Sequence, residues 1–131
     1  MGSTLKAIKP EVKIIAVEPE GCPALHASLR ADKPMQVECE TICDGVAVPY
    51  ITDEMFPLLR DLVDDCVLVS ESSVGDMVRR LALGNKMVVE PSGALAVAAA
   101  VQADGHSRNC RVAIVTGGSI DPEKLIRLLQ A

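Results

Sequence analysis

The chain has 131 residues, a formal net charge of −5 and a mean hydropathy of +0.27, with 49% of its residues hydrophobic. That length fits a single domain over residues 1–131 with a real core. The acidic balance and the two aromatic residues, Tyr50 and Phe56, exclude the basic, stacking surface of a nucleic-acid binder.

In chain order, "TLKAIKPEV" begins as a helical fragment that Pro10 stops, and "KIIAVEP" (Lys13–Pro19) is a β-branched strand closed by Glu-Pro. "ALHASLRA" (Ala24–Ala31) reads as a short helix, after which residues 32–44 show no hydrophobic period. "GVAVPYI" (Gly45–Ile51) alternates and is either a strand or an extended lead into the next helix. That helix, "DEMFPLLRDLVDD", takes Thr52 or Asp53 as its cap and carries Pro57 in or near its first turn. "CVLVS" (Cys66–Ser70) is a continuous apolar strand, and "ESSVGDMVRRLALGN" (Glu71–Asn85) a helix with serine caps and Gly84 as its terminator.

"KMVVEP" leads into "SGALAVAAAVQA", a run with no charge between Glu90 and Asp104. Pro91 suits the first turn of a helix, where the amide has no intrahelical acceptor. A helix apolar all round is normally buried on all sides, and Glu90 stands at its start, where the dipole favours negative charge. A polar turn "DGHSRNC" (Asp104–Cys110) precedes "RVAIVTGG" (Arg111–Gly118), the cleanest strand in the chain. "DPEKLIRLLQ" (Asp121–Gln130) closes as an amphipathic helix with Asp at the cap and Pro at its first position.

Strands alternating with helices predict an α/β fold: a mainly parallel sheet of about four strands with helices on both faces. The five cysteines, Cys22, Cys39, Cys43, Cys66 and Cys110, are odd in number and scattered. They read as reduced thiols rather than a disulfide frame. Their spacing, with only His26 and His106 beside them, does not suit structural zinc. No apolar run reaches membrane-spanning length and no signal-peptide pattern is present, so the expected location is cytoplasmic.

Ligands in parallel sheets sit outside the carboxyl ends of the strands. Those ends carry Glu18-Pro19, Ser70-Glu71, Glu90-Pro91 and Thr116-Gly117-Gly118-Ser119. Glu18 and Glu90 could act as an acid/base pair, as hard metal ligands, or simply as turn and cap residues. "VTGGSIDP" is either a tight turn or a backbone surface that lets a ligand come close. It lacks the spacing of the G-x-G-x-x-G and P-loop phosphate motifs.

Together, "KIIAVEPEG", "CDGVAV", "LVDDCVLVSES", "MVVEPSGALAVAA" and "RVAIVTGGSID" resemble successive blocks of the threonine/serine dehydratase and serine racemase group. These are fold-type II enzymes using pyridoxal phosphate, and the blocks match the second half of their large domain. The resemblance implies that the Thr116 hydroxyl meets the cofactor pyridine nitrogen, a neutral contact suited to β-elimination. It implies that Gly45, Gly117 and Gly118 bring backbone close to the cofactor, and that Glu90 is the nearby catalytic carboxylate. It sets Glu18 and the Cys22 carbonyl at a divalent-cation site whose further acidic ligand falls on Ala24. The family's Schiff-base lysine and glycine-rich phosphate loop have no counterpart here, and Lys6, Lys9, Lys13, Lys33, Lys86 and Lys124 lack that lysine's context.

Two functions follow. One is an ammonia-lyase of threonine or serine, in a form without the usual lysine, with pyridoxal phosphate as cofactor and that amino acid as substrate. The other is a non-catalytic α/β module that binds a ligand or a partner. Apolar surface left uncovered favours a homo-oligomer under both.

Overall fold

The computed structural model describes residues 1–103 and 110–130. Its sheet pairs β1 (Ile15–Pro19) with β2 (Asp65–Val69) in parallel, Ile15 opposite Asp65 and Pro19 opposite Val69. A parallel pair cannot close through a tight hairpin. The crossover here is α2 (Ala24–Ala31), a long loop and α3 (Phe56–Leu62), while α1 (Gly2–Ile8) packs on α3. Side chains alternate along each strand, so Val17 and Val67 share one face and Ala16, Glu18 and Cys66 the other. The valine face is covered by α4 (Glu71–Asn85) and α5 (Pro91–Gln102), whose Val74, Val78, Leu81, Ala94, Leu95 and Ala98 form the core with Val69 and Cys43. The other face meets α2, where His26 Nδ1 lies 3.3 Å from the Cys66 carbonyl oxygen. Helices therefore cover both faces, as a parallel pair requires.

Local chemistry explains most boundaries. Ser70 caps α4 by accepting from Ser73 N–H at 3.2 Å, and Asp121 Oδ1 caps α6 (Pro122–Gln130) by accepting from Glu123 and Lys124 N–H. Two boundaries depart from the reading of the sequence. The helix expected from Asp53 begins at Phe56, because Thr52 closes a preliminary turn by accepting from Met55 and Phe56 N–H. Gly84 stays inside α4, and the left-handed terminating residue is Lys86 at φ 60°. Lys86 also turns its ammonium back onto the Leu83 carbonyl at 2.6 Å, satisfying one of the open carbonyls at the helix end. The alternating stretch after Asp44 is a 3-10 turn (Asp44–Val46) followed by extended chain and a single antiparallel bridge, Gln36 to Tyr50.

The α/β class and the parallel sense hold, with two of the four expected strands paired. Lys86–Val89 and Arg111–Val115 carry no strand ladder among the described residues. They meet at their ends, where Glu90 N–H donates to the Gly117 carbonyl at 3.2 Å. β-branched composition favours extended backbone, but a strand also needs a neighbour in register. Val112, in the unpaired stretch, is 80% exposed.

The expectation of reduced thiols is corrected at Cys22 and Cys39, which form a disulfide with Cα atoms 4.3 Å apart. Glu40 N–H donates to the Gly21 carbonyl at 2.8 Å, so two segments far apart in sequence run side by side at the bridge. Cys43, Cys66 and Cys110 are free. The polar turn expected before Arg111, with His106, lies outside the described residues apart from Cys110. Among the described residues no helix is long and apolar enough to cross a membrane.

Candidate functional site

Three backbone segments converge beside the start of α5. The first is the turn at Asp44–Gly45, delivered by Cys43, which is fully buried in the core. The second is Glu90–Ser92 and the third Thr116–Ser119. Gly45 N–H donates to Ser92 Oγ at 2.9 Å, and the Glu90–Gly117 bond ties the second segment to the third. A Cβ on Gly117 would overlap the Glu90 carboxylate, and Gly117 holds φ +72°, a backbone region that favours glycine. A Cβ on Gly45 would stand 3.0 Å from Ser92 Oγ and 3.4 Å from Glu90 Oε1. Gly118 sits against the Val88 carbonyl. Beneath them, a Cβ on Gly93 would overlap the Thr116 carbonyl oxygen. The alanine-rich helix thus comes close to the Thr116 backbone through its one glycine. Gly45, Glu90, Thr116, Gly117 and Gly118, singled out from the sequence, are together.

Glu90 occupies the N-cap position of α5, yet its side chain makes no cap hydrogen bond. The carboxylate lies against Gly117 instead and does not cap the α5 amides by hydrogen bonding. A small cleft of about 90 Å³ opens here, and Ser92, Ser119, Asp44 and Lys124 join Gly45 and Glu90 in its lining. Lys124 Nζ donates to the Ile42 carbonyl at 2.7 Å and to both oxygens of Asp44 at 3.0 and 2.9 Å. Those contacts hold the Lys124 side chain against the loop rather than in the open cleft. Burial pushes the Cys43 thiol up to about 11, so it is neutral beneath the site at ordinary pH. Reading the sequence missed Ser92, Asp44 and Lys124 as neighbours of Glu90. Only the Ser-Gly pair after Pro91 pointed toward one of them.

Glu18 and Cys22 lie apart from this group, on the α2 side of the sheet. Glu18 Oε1 and Oε2 accept from Leu25 and His26 N–H, each at 2.8 Å, and Cys66 Sγ is 3.6 Å from Oε2. Burial, then the Glu18 carboxylate, pushes the Cys66 thiol up to about 12. The carboxylate caps the open amides at the start of α2, and a cation would compete with them for both oxygens. Among the described residues no group of three or more His, Cys, Asp or Glu is placed to hold a metal ion.

The chain is similar to part of several known proteins. L-threonine ammonia-lyase of Thermotoga maritima is 35% identical over 127 residues, covering 95% of this chain and 31% of the relative. Serine racemase of Oryza sativa subsp. indica is 34% identical over 123 residues, covering 88% of this chain and 36% of the relative. The chain thus spans about a third of the length of the curated relatives it matches. Maize serine racemase superimposes with a TM-score of 0.82 at 32% identity, over 95% of this chain and 41% of that one. The processed form of threonine deaminase isoform 2 from Solanum lycopersicum does so with a TM-score of 0.90 at 28% identity, over 98% and 37%. A family profile described as pyridoxal-phosphate dependent enzyme matches residues 1–118. The chain belongs to the pyridoxal-phosphate dependent enzyme family.

Proposed function

We propose that this chain forms the ring-side wall of a pyridoxal-phosphate site in a cytoplasmic ammonia-lyase acting on threonine or serine. The observation that supports it is the meeting of Gly45, Glu90 and Gly117 at one place, with backbone bare of Cβ facing a carboxylate. The residues fit one edge of a flat, uncharged-edged ring. The glycines let the Glu90 and Ser92 side chains lie directly against the backbone here, and Thr116 is exposed beside them. A cleft of about 90 Å³ is well below the roughly 300–1,000 Å³ of a complete small-molecule pocket, so these residues make one side of the site.

When bound, pyridoxal phosphate supplies the electron withdrawal that makes an amino acid's α carbon acidic. The chain's own residues do the rest of this wall's work. Thr116 Oγ1 would hold the ring nitrogen through a neutral hydroxyl contact. Gly45, Gly117 and Gly118 would bring backbone to that side of the group. Glu90 Oε1, not engaged by the α5 amides, holds or moves a proton beside them. Lys124 orders the wall through Asp44 rather than bonding the cofactor covalently.

The exposure of Val112 and Ile114, at 80% and 46%, supports a second reading: a module whose open apolar edge binds a partner, a second copy included. Titrating the chain with pyridoxal phosphate, then reducing with borohydride and mapping peptides, separates the two. A changed cofactor spectrum without a reduced lysine adduct supports the wall reading. No spectral change up to saturating cofactor overturns it and leaves the partner module, which light scattering would report as a species larger than the monomer.

A further inference from the structure

Resting on that reading of the site, we infer that Glu71 is a positioning residue that fixes Gly45 at the wall. Residues 32–46 hold one 3-10 turn and one isolated bridge, so bonds to other segments, side-chain bonds among them, set where this loop lies. Glu71 opens α4 but directs both carboxylate oxygens away from that helix. Oε1 accepts from Gly21 N–H at 3.3 Å, and Oε2 accepts from the Thr41 hydroxyl at 3.0 Å and Ile42 N–H at 2.9 Å. Thr41 Oγ1 in turn accepts from Cys43 N–H at 3.0 Å. Cys43 anchors in the core, and two residues later Gly45 meets Ser92 and Glu90. Hydrogen bonds thus run from Glu71 to Cys43, and two residues of chain carry the link on to Gly45 at the cleft.

An acid at a helix start is ordinarily explained by the helix dipole. Here Ser70 already caps α4, and the carboxylate is half-buried with three partners outside the helix. Hydrogen bonds to an ionised acceptor are among the strong ones. The Cys22–Cys39 disulfide and the Glu40–Gly21 bond tether the start of the same loop. Lys124 holds its far side through Ile42 and Asp44. Glu71 occupies the middle, where the loop turns toward the site.

The test is amide hydrogen exchange on the full chain, with Glu71→Ala, Glu71→Gln and Thr41→Val, each paired with a pyridoxal-phosphate titration. In Glu71→Ala the amides of Ile42 through Val46 should exchange about tenfold or more faster, the worth of a charge-assisted bond, while core amides of α4 and α5 change much less. Glu71→Gln keeps an acceptor for Thr41 and Ile42 and should recover part of the protection. Thr41→Val, the milder change, decides the matter if Glu71→Ala does not fold. Exchange rising equally across the core would overturn the inference, since Glu71 would then be a general stabiliser. Local loosening with unchanged cofactor affinity would overturn the link to the site. If the wild-type chain takes up no pyridoxal phosphate, the reading of the site fails, and the exchange pattern alone still decides whether Glu71 holds Gly45.

Discussion

Substituting Gly93 by alanine tests whether α5 presses directly on the Thr116 backbone. Gly93 is buried inside the helix, and a Cβ there would overlap the Thr116 carbonyl oxygen and stand 2.7 Å from Val89 Cγ1. One obstacle is backbone and cannot rotate away. Gly84 is the natural control, since it lies inside α4 with nothing within 4 Å of an added Cβ. Both changes put a better helix former near a helix end, a gain of at most about 1 kcal/mol, but only Gly93→Ala overpacks, at a cost of about 1–3 kcal/mol. Gly84→Ala should therefore be neutral or stabilise by up to about 1 kcal/mol, and Gly93→Ala should fall below it by about 1–3 kcal/mol. Urea unfolding followed by far-ultraviolet circular dichroism reads both, with equal m-values as the sign that the unfolded states are comparable. Equal stabilisation by the two substitutions would refute the close approach of α5 to Thr116.

Further outcomes follow from other contacts. Gly117→Ala should cost about 1–2 kcal/mol for a left-handed residue with a side chain, whereas Gly118→Ala, 3.1 Å from the Val88 carbonyl, should cost less; the reverse order would contradict the geometry. Cys39→Ser opens a bridge between residues 17 apart and should lower stability by about 3 kcal/mol in the chain-entropy account; an unchanged urea midpoint would rule out the tether. Burial holds Cys43 and Cys66 at about 11 and 12 against an ordinary 9.0. Their folded forms therefore keep protons that the unfolded chain loses, so the stability they contribute is present below pH 9 and is lost as pH rises from 9 toward 12. At pH 8, iodoacetamide should label exposed Cys110 well ahead of both; rapid labelling of Cys66 would show that it is not protected as described.

Helix termini were legible where the signal is local. The starts of Glu71–Asn85 and Pro122–Gln130 match the reading from the sequence because the serine and aspartate caps act within a few residues of themselves. Strand pairing was less legible, since "KMVV" and "RVAIV" have strand composition but no ladder in the chain. Composition cannot report whether a neighbour lies in register. The convergence of Glu90 with Thr116 and Gly117 followed from strand ends sharing an edge. The loop of residues 32–44 was opaque because non-local contacts fix it: the Cys22–Cys39 bridge, Glu71 and Lys124. For the same reason Asp44 could not be seen as a neighbour of Glu90.

The most direct measurement of the central claim compares pyridoxal-phosphate affinity in the wild-type chain and in Thr116→Val, which keeps the shape and removes the hydroxyl. Thr116 is exposed at the wall, so folding should be nearly unchanged and circular dichroism of the two chains should coincide. If its hydroxyl bonds the ring nitrogen, affinity should weaken by about 0.5–1.5 kcal/mol, the net worth of one hydrogen bond, or roughly twofold to twelvefold in Kd. Equal affinity in the two chains would contradict the role of Thr116 and with it the orientation of the ring against this wall.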